Sequence, residues 1–345
     1  MTVNGRATGK PTRIIVRSPN PLGDACMALP AVRALRRTFA DVRITLCCRE
    51  NLAPVWEVQA DVDDVLAFSK SRNPLQVGKL IRSRGPFDLG VLLPNSFRSA
   101  LELRLGGVTN LVGYDRHQRR LLLRTAVDEP RPAPEEQHHV HRYLHLAEKA
   151  GADVGRVTEL LRIPPAPMPI SSGLKKIRFG VCPGAEYGNA KRYPIERYAE
   201  AIESLRERRP AVEFVVAIFG SPAERGIGDR LASMLSGPVD NRVGRTSIGG
   251  LVDELRTCHF LATNDTGTMH LAAAIGVPTV AIFGSTEPDF TSPVGDVHRV
   301  IRHKVDCSPC FLRECPIDYR CMLRIEPERV VREMEALLDA AELPE

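Results

Sequence analysis

Long apolar runs are missing from this 345-residue sequence: no segment approaches the roughly 18 to 20 consecutive apolar residues that a membrane-spanning helix needs. The N-terminal stretch has no basic region followed by an apolar run and a small-residue cleavage site; "MTVNGRATGKPTR" is polar and leads into the short strand "IIVRSP". Both absences give the expectation of a cytosolic protein whose membrane contact, where it has any, is peripheral. A dense basic block is missing as well. The 47 Lys and Arg exceed the 42 Asp and Glu, but the net charge of +5 is spread along the chain, which argues against a nucleic-acid binder and suits anionic ligands. Nine cysteines are an odd count without a secretory signal, so no complete disulfide framework is expected. Cys26, Cys47, Cys48, Cys182 and Cys258 lie in apolar contexts and read as small core residues.

Familiar site signatures are also absent. GxxxxGK[ST] occurs neither at "GKPT" nor at "CPGAEYGNAKRYP", and no GxGxxG follows the first strand, which argues against a dinucleotide oxidoreductase. "QHHVHRYLH" places His141 and His145 at i, i+4 but lacks HExxH, so it reads as an exposed helix face. "CSPCFLRECPIDYRC" spaces Cys307, Cys310, Cys315 and Cys321 in a metal-like manner, with one CxxC but no second tight pair; packing, labile disulfides and a metal centre all remain open for it.

What is present is 43% hydrophobic content in a chain long enough for two domains with separate cores. Apolar runs of four to eight residues alternate with amphipathic stretches: "RIIVRSP", "ALPAVRALRRTF", "VRITLCC", "DDVLAF", "LQVGKLIRSR" and "FDLGVLLP". That alternation predicts parallel strands with crossover helices, a doubly wound α/β domain. Around "RIPPAPMPISSGLKK" the pattern dissolves into Pro and Ser, the composition of a linker. A second alternation follows, from "IRFGVCPG" through "VEFVVAIFG", "HFLATND" and "PTVAIFG" to a closing helix in "EPERVVREMEALLDAAEL". The expected domains are residues 1–165 and 166–345, with ligands taken at the carboxyl ends of two sheets around one cleft.

The chemistry-bearing segments stand where strands end. In "TNDTGTMHLAAAIG", Thr263, Asn264 and Asp265 close a strand while Thr266, Gly267 and Thr268 open a helix, an arrangement that offers free N–H groups to an anion or simply caps the helix. His270 follows one turn in and reads either as a further donor-binding residue or as a packed histidine. "CPGAEYGNAKRYP" carries Lys191 on a Gly-rich loop, a fixed counterion for a phosphate or a solvated basic residue. Asp24, in "SPNPLGDACMALP", is placed either as a general base on a hydroxyl or as an N-cap. Asn95, Ser96 and Arg98 end another strand as polar groups expected to line the same cleft and bind the acceptor, and Arg116, Arg119, Arg120 and Arg124, able to meet phosphates or a membrane surface, follow on what reads mostly as a solvated basic loop. Glu224, in "FGSPAE", suits a ribose diol or the start of a helix.

Taken together, "PNPLGDACMALPAVRALRR", "LLPNSFRSALELRLGGVTNLVGY", "CPGAEYGNAKRYP", "NDTGTMHLAAAIGVPTVAIFGSTEPDFTSP" and "IEPERVV" resemble the lipopolysaccharide heptosyltransferases of glycosyltransferase family 9, and within it the heptosyltransferase II branch. The resemblance covers nearly the whole chain. It implies a GT-B fold, in which two doubly wound Rossmann-like domains, acceptor-binding then nucleotide-sugar-binding, face a central cleft and a last helix crosses back to the first. It further implies an inverting transfer of L-glycero-D-manno-heptose from ADP-heptose to the heptose–Kdo inner core linked to lipid A, with no cofactor or metal, at the inner face of the cytoplasmic membrane. On that pattern Asp24 is the base, Lys191 and the amides of Thr266, Gly267 and Thr268 take the diphosphate, Asp265 the heptose, and Glu224 the ribose. The chain departs from the branch pattern with Thr266 for Ser and Tyr193 for Trp, and the smaller ring of Tyr193 puts a nearby pocket in question. Two other readings stay open: a relative using another nucleotide sugar or acceptor, and a non-catalytic binding protein with a metal at the late cysteines.

Overall fold

Runs rich in Ile, Val and Leu, too short for buried helices, form strands that are covered on both faces. The computed structural model describes residues 11–340 except 132, 134, 135 and 172. Its first unit, which runs to Leu160, contains β1 (Arg13–Arg17), β2 (Arg43–Arg49), β3 (Asp64–Phe68), β4 (Leu89–Leu92), β5 (Leu111–Tyr114) and β6 (Thr125–Val127). They pair in parallel in the order β3-β2-β1-β4-β5-β6. Ile14, Ile15 and Val16 of the central β1 are wholly buried. At roughly 1.5–3 kcal/mol for each such side chain taken from water, strands of this kind carry much of the unit's stability.

The second unit begins at Leu161 and contains β7 (Lys176–Cys182), β8 (Glu213–Ile218), β9 (Val239–Asn241), β10 (Phe260–Asn264), β11 (Thr279–Phe283) and β12 (Arg299–Arg302). Its order, β12-β11-β10-β7-β8-β9, is again all parallel. Counted from its own first strand, each sheet winds the same way: strands two and three go to one side, strands four to six to the other. The winding therefore reverses between β1 and β4 in the first unit and between β7 and β10 in the second. Loops leaving neighbouring strands at such a reversal diverge to opposite faces and open a crevice beyond the carboxyl ends.

Local sequence explains how the helices are cut. "PLGDACMALPAVRALRRT" reads as one amphipathic stretch, yet it forms two helices, Leu22–Met27 and Leu29–Thr38. Pro30 lacks the N–H that would continue the first and is tolerated in the opening turn of the second. The helix Gly267–Ala274 ends at Gly276, whose φ of 82° lies in the left-handed region and whose missing Cβ would stand 2.3 Å from the carbonyl oxygen of Pro164. The closing helix Pro327–Asp339 sinks Val330, Val331, Met334, Leu337 and Leu338 into the second unit's core, against the helix Ile195–Arg208.

Candidate active site

In the second unit the reversal between β7 and β10 gathers the polar residues of two strand ends. Asp265, 6% exposed, accepts at Oδ2 from the Lys191 ammonium at 2.5 Å and from the Thr286 hydroxyl at 2.7 Å. The same ammonium stands 4.8 Å from the centre of the Tyr187 ring. Thr266 is the N-cap of the helix Gly267–Ala274, its Oγ1 accepting from the Met269 N–H at 3.4 Å. Behind that cap the amides of Gly267 and Thr268 belong to the first turn, where N–H groups have no intrahelical acceptor. An anion-receptive helix end thus adjoins a half-neutralised lysine, which is the chemistry of a diphosphate site. The cap leaves these N–H groups in place, so capping and anion binding do not compete.

The neighbouring Asn264 was named in the sequence only as part of the polar segment that closes β10, yet it holds the constellation together. Wholly buried, it accepts at Oδ1 from the Tyr193 amide and the Tyr198 hydroxyl, both at 3.1 Å, and donates from Nδ2 to the carbonyls of Pro183 at 2.8 Å and Gly184 at 3.1 Å. Every hydrogen-bonding site on the amide is filled, so β10 is pinned to the loop that leads to Lys191. Tyr193 is itself fully buried, edge-on to Tyr198 at 5.1 Å and donating to the Ile325 carbonyl at 2.9 Å. It is a core residue, which answers the question its replacement of Trp raised. Below the helix start the Cys182 thiol is pushed up to about 11 by burial, with the Glu224 carboxylate adding to the effect, so it stays protonated and inert. His270 is buried on the same helix.

Glu224 is buried beside the end of β8. Its Oε2 accepts from the amide of Ser221 at 2.7 Å and the hydroxyl of Ser221 at 2.8 Å, closing a capping box, while Oε1 accepts no bond from the described residues. A Cβ on Gly184 would lie 2.0 Å from that oxygen. Glycine is what lets the carboxylate approach the β7 loop. The helix-start reading therefore holds for one oxygen, while the other stays open to a further donor.

In the first unit Asp24 is not an N-cap: Pro21 occupies that position and Asp24 is the third residue of the helix Leu22–Met27. It is half-buried, and its Oδ1 accepts from the Tyr143 hydroxyl at 3.0 Å. The loop before it is fastened by Arg17, 3% exposed, which donates to Glu102 Oε2 at 3.2 Å, to the Ser18 carbonyl at 2.6 Å and to Asn20 Oδ1 at 3.3 Å. Trp56 donates to the Ser18 hydroxyl at 3.0 Å. A buried Arg–Glu pair with its remaining hydrogen bonds filled holds geometry even where its net stabilisation is small.

The three polar residues after β4 are largely engaged by the protein. Ser96 caps the helix Phe97–Leu105 through the Ser99 amide at 3.2 Å, Arg98 bridges to Glu102 at 2.9 Å, and Asn95 Oδ1 accepts from Arg119 at 3.3 Å. Arg119 departs from the solvated-loop expectation. Wholly buried, it donates to the carbonyls of Tyr114 at 2.7 Å and Pro94 at 2.5 Å, and burial lowers its guanidinium to about 10. Arg116 and Arg120 fit the expectation, being exposed and paired with Glu129 and Asp115. His145 does not lie on a free helix face: its ring stacks on Tyr114 at 5.8 Å and its Nδ1 is 3.0 Å from the Tyr114 hydroxyl.

The four late cysteines are all free thiols, and among the described residues no group of three or more His, Cys, Asp or Glu side chains is arranged to hold a metal ion. Their loop braces the site. The Arg313 carbonyl accepts from the Ala190 amide at 3.0 Å, the Phe311 carbonyl from the Tyr187 hydroxyl at 2.8 Å, and the Ser285 carbonyl from the Cys310 amide at 3.1 Å. Sequence spacing gave no sign of this role.

Comparison with known proteins adds to this geometry. Residues 75–320 match the model of the family described as glycosyltransferase family 9 (heptosyltransferase). Lipopolysaccharide heptosyltransferase 2 of Escherichia coli K12 is 29% identical over 94% of this chain and 98% of its own length. The structure of E. coli ADP-heptose LPS heptosyltransferase II superposes with a TM-score of 0.75 at 28% identity, covering 95% of this chain and 99% of that one. E. coli heptosyltransferase WaaC, solved with ADP, gives 0.70 at 18% identity over 94% and 99%, a likeness of fold.

Proposed function

Because the chain belongs to glycosyltransferase family 9 and has its GT-B fold of two doubly wound units, we propose that it moves L-glycero-D-manno-heptose from ADP-heptose to the heptose–Kdo inner core of lipopolysaccharide. The observation that carries this reading is the Lys191–Asp265–Thr286 cluster beside the start of the helix Gly267–Ala274. Lys191 and the amides of Thr266, Gly267 and Thr268 take the diphosphate. Asp265, locked by two donors on one oxygen, takes heptose hydroxyls with the other, and Glu224 Oε1 takes the adenosine ribose. The name of the E. coli relative, an ADP-heptose enzyme, supports the same donor.

The reaction then follows from charge. The acceptor hydroxyl attacks the anomeric carbon while Asp24 removes its proton; the bond from that carbon to the β-phosphate oxygen breaks, and ADP leaves with the electron pair. The transition state is oxocarbenium-like, and attack from the face opposite the leaving group inverts the centre. Charge growing on the departing diphosphate is met by a fixed ammonium and oriented N–H dipoles, which need no reorganisation as it develops. No helix among the described residues is long and apolar enough to cross a membrane. We place contact with the lipid-anchored acceptor at the segment where Leu121, 93% exposed, sits among the exposed Arg116, Arg120 and Arg124.

The test is turnover. Purified protein with ADP-heptose and lipopolysaccharide truncated to a single heptose should release ADP and extend the acceptor by one heptose, without added magnesium. Absence of transfer to every heptose- or Kdo-terminated acceptor would contradict the reading.

A further inference from the structure

We propose that Tyr143 is the positioning residue of Asp24: its hydroxyl fixes Oδ1 of the carboxylate and so leaves Oδ2 as the oxygen that receives the acceptor proton. The inference rests on the heptosyl-transfer reading for its substrate and on the geometry of the first unit for everything else. The hydroxyl donates to Oδ1 at 3.0 Å, and Oδ2 accepts no bond from the described residues. The two residues are 119 positions apart in sequence, so the pairing is made by the fold alone.

The phenol is well held. It stands on the helix Val140–Lys149, which packs along Leu29–Thr38 and buries Val140, Leu144, Leu146 and Ala147. On either side of it, the Arg142 carbonyl accepts from Tyr114 at 2.7 Å and His145 meets the same hydroxyl at 3.0 Å. Burial, then the neighbouring Asp24 charge, raises the Tyr143 phenol well above its ordinary value, so it remains a donor throughout the working range. The charged or titratable groups facing the pair are Cys26 beside Asp24, Arg142 on the tyrosine's own helix, and Tyr114 at the end of β5. The Cys26 thiol is itself pushed up by burial and by Asp24, and the hydrogen bond to the carboxylate comes from Tyr143.

A general base acts only within hydrogen-bond reach of the proton it removes, and a carboxylate free to rotate presents either oxygen in many directions. One fixed bond sets the plane of the group before the acceptor arrives. Loss of that orientation costs rate, on the order of ten- to hundredfold, with little effect on binding of a donor held elsewhere.

Steady-state transfer should be measured for the wild type, Tyr143→Phe, Asp24→Asn and the double variant. Tyr143→Phe is expected to lower kcat about ten- to hundredfold with KM for ADP-heptose unchanged, and to have no further effect in the Asp24→Asn background. An unchanged kcat, a loss carried by the donor KM, or equal losses in both backgrounds would overturn the proposal and make Tyr143 a packing residue. A second readout needs no turnover: at neutral pH the ring Cζ resonance of Tyr143 should move in Asp24→Asn relative to wild type, as the hydroxyl loses its charged acceptor. An unmoved resonance also overturns the pairing. If wild type transfers no heptose while this resonance moves, the functional reading falls and the pairing stands.

Discussion

Lys191 and Asp265 show how much one residue's role depends on its partner. Joined at 2.5 Å, each meets the other's opposite charge in a largely buried setting. The ammonium keeps further N–H groups, which in the proposed reading meet the phosphate. A different single residue sets an acid limit on the fold. His298 in the second unit is 9% exposed, donates from one ring nitrogen toward the Val294 carbonyl at 3.0 Å and has no partner for Nδ1 among the described residues, and burial lowers it to about 4. A free imidazole titrates near 6.5, so between those values the unfolded chain binds a proton that the folded chain refuses. Stability from this group is complete above about pH 6.5 and falls as the pH drops toward 4, by up to about 3 kcal/mol. Melting temperatures at pH 7 and pH 5 should differ more in wild type than in His298→Gln; equal differences would show that another group sets the acid limit.

At the scale of elements, what the sequence revealed and what it hid divide along a physical line. β1, β4, β7, β10 and β11 lie inside their sheets, so both faces are covered and each reads as an apolar run. The edge strands β9 (VDN) and β12 (RVIR) have at most one wholly buried residue and carry no such signal. The site divides in the same way. Asp24, Lys191, Glu224 and Asp265 could be proposed from the sequence because each is a chemistry-bearing residue on the segment that leaves a strand. The parts played by Tyr143, Thr286, Arg119 and the late-cysteine loop could not, since the groups they bond lie in distant segments of the chain. That loop matters to the site through Gly188, whose missing Cβ would lie 2.2 Å from the Arg313 carbonyl oxygen. Gly188→Ala must separate the loop from Arg313 and shift Lys191, three residues on. Donor KM should rise and kcat fall roughly tenfold or more, with far-ultraviolet circular dichroism unchanged. Wild-type kinetics in that variant would remove the loop from the account of the site.

For the whole molecule, the repeated winding gives the protein two crevice-forming sheet ends built by the same rule but filled with different chemistry. The second unit offers an ammonium and free amides suited to a diphosphate; the first offers a carboxylate fixed at one oxygen. Nucleotide recognition belongs to the second unit alone in this account, so it should survive removal of the base. In a thermal-shift panel ADP should raise the melting temperature more than UDP or GDP, since only ligands that bind the native state stabilise it, by about 2.7 kcal/mol at a hundred times Kd. A larger shift with UDP would point to a different nucleotide sugar. The central claim is that Asp24 deprotonates the acceptor in a heptosyl transfer, and the most direct test is the rate of acceptor extension by Asp24→Asn beside wild type, both saturated with ADP-heptose. The account predicts loss of transfer by a factor of about a hundred or more with the ADP-induced thermal shift intact; a variant that extends the acceptor at the wild-type rate would contradict it.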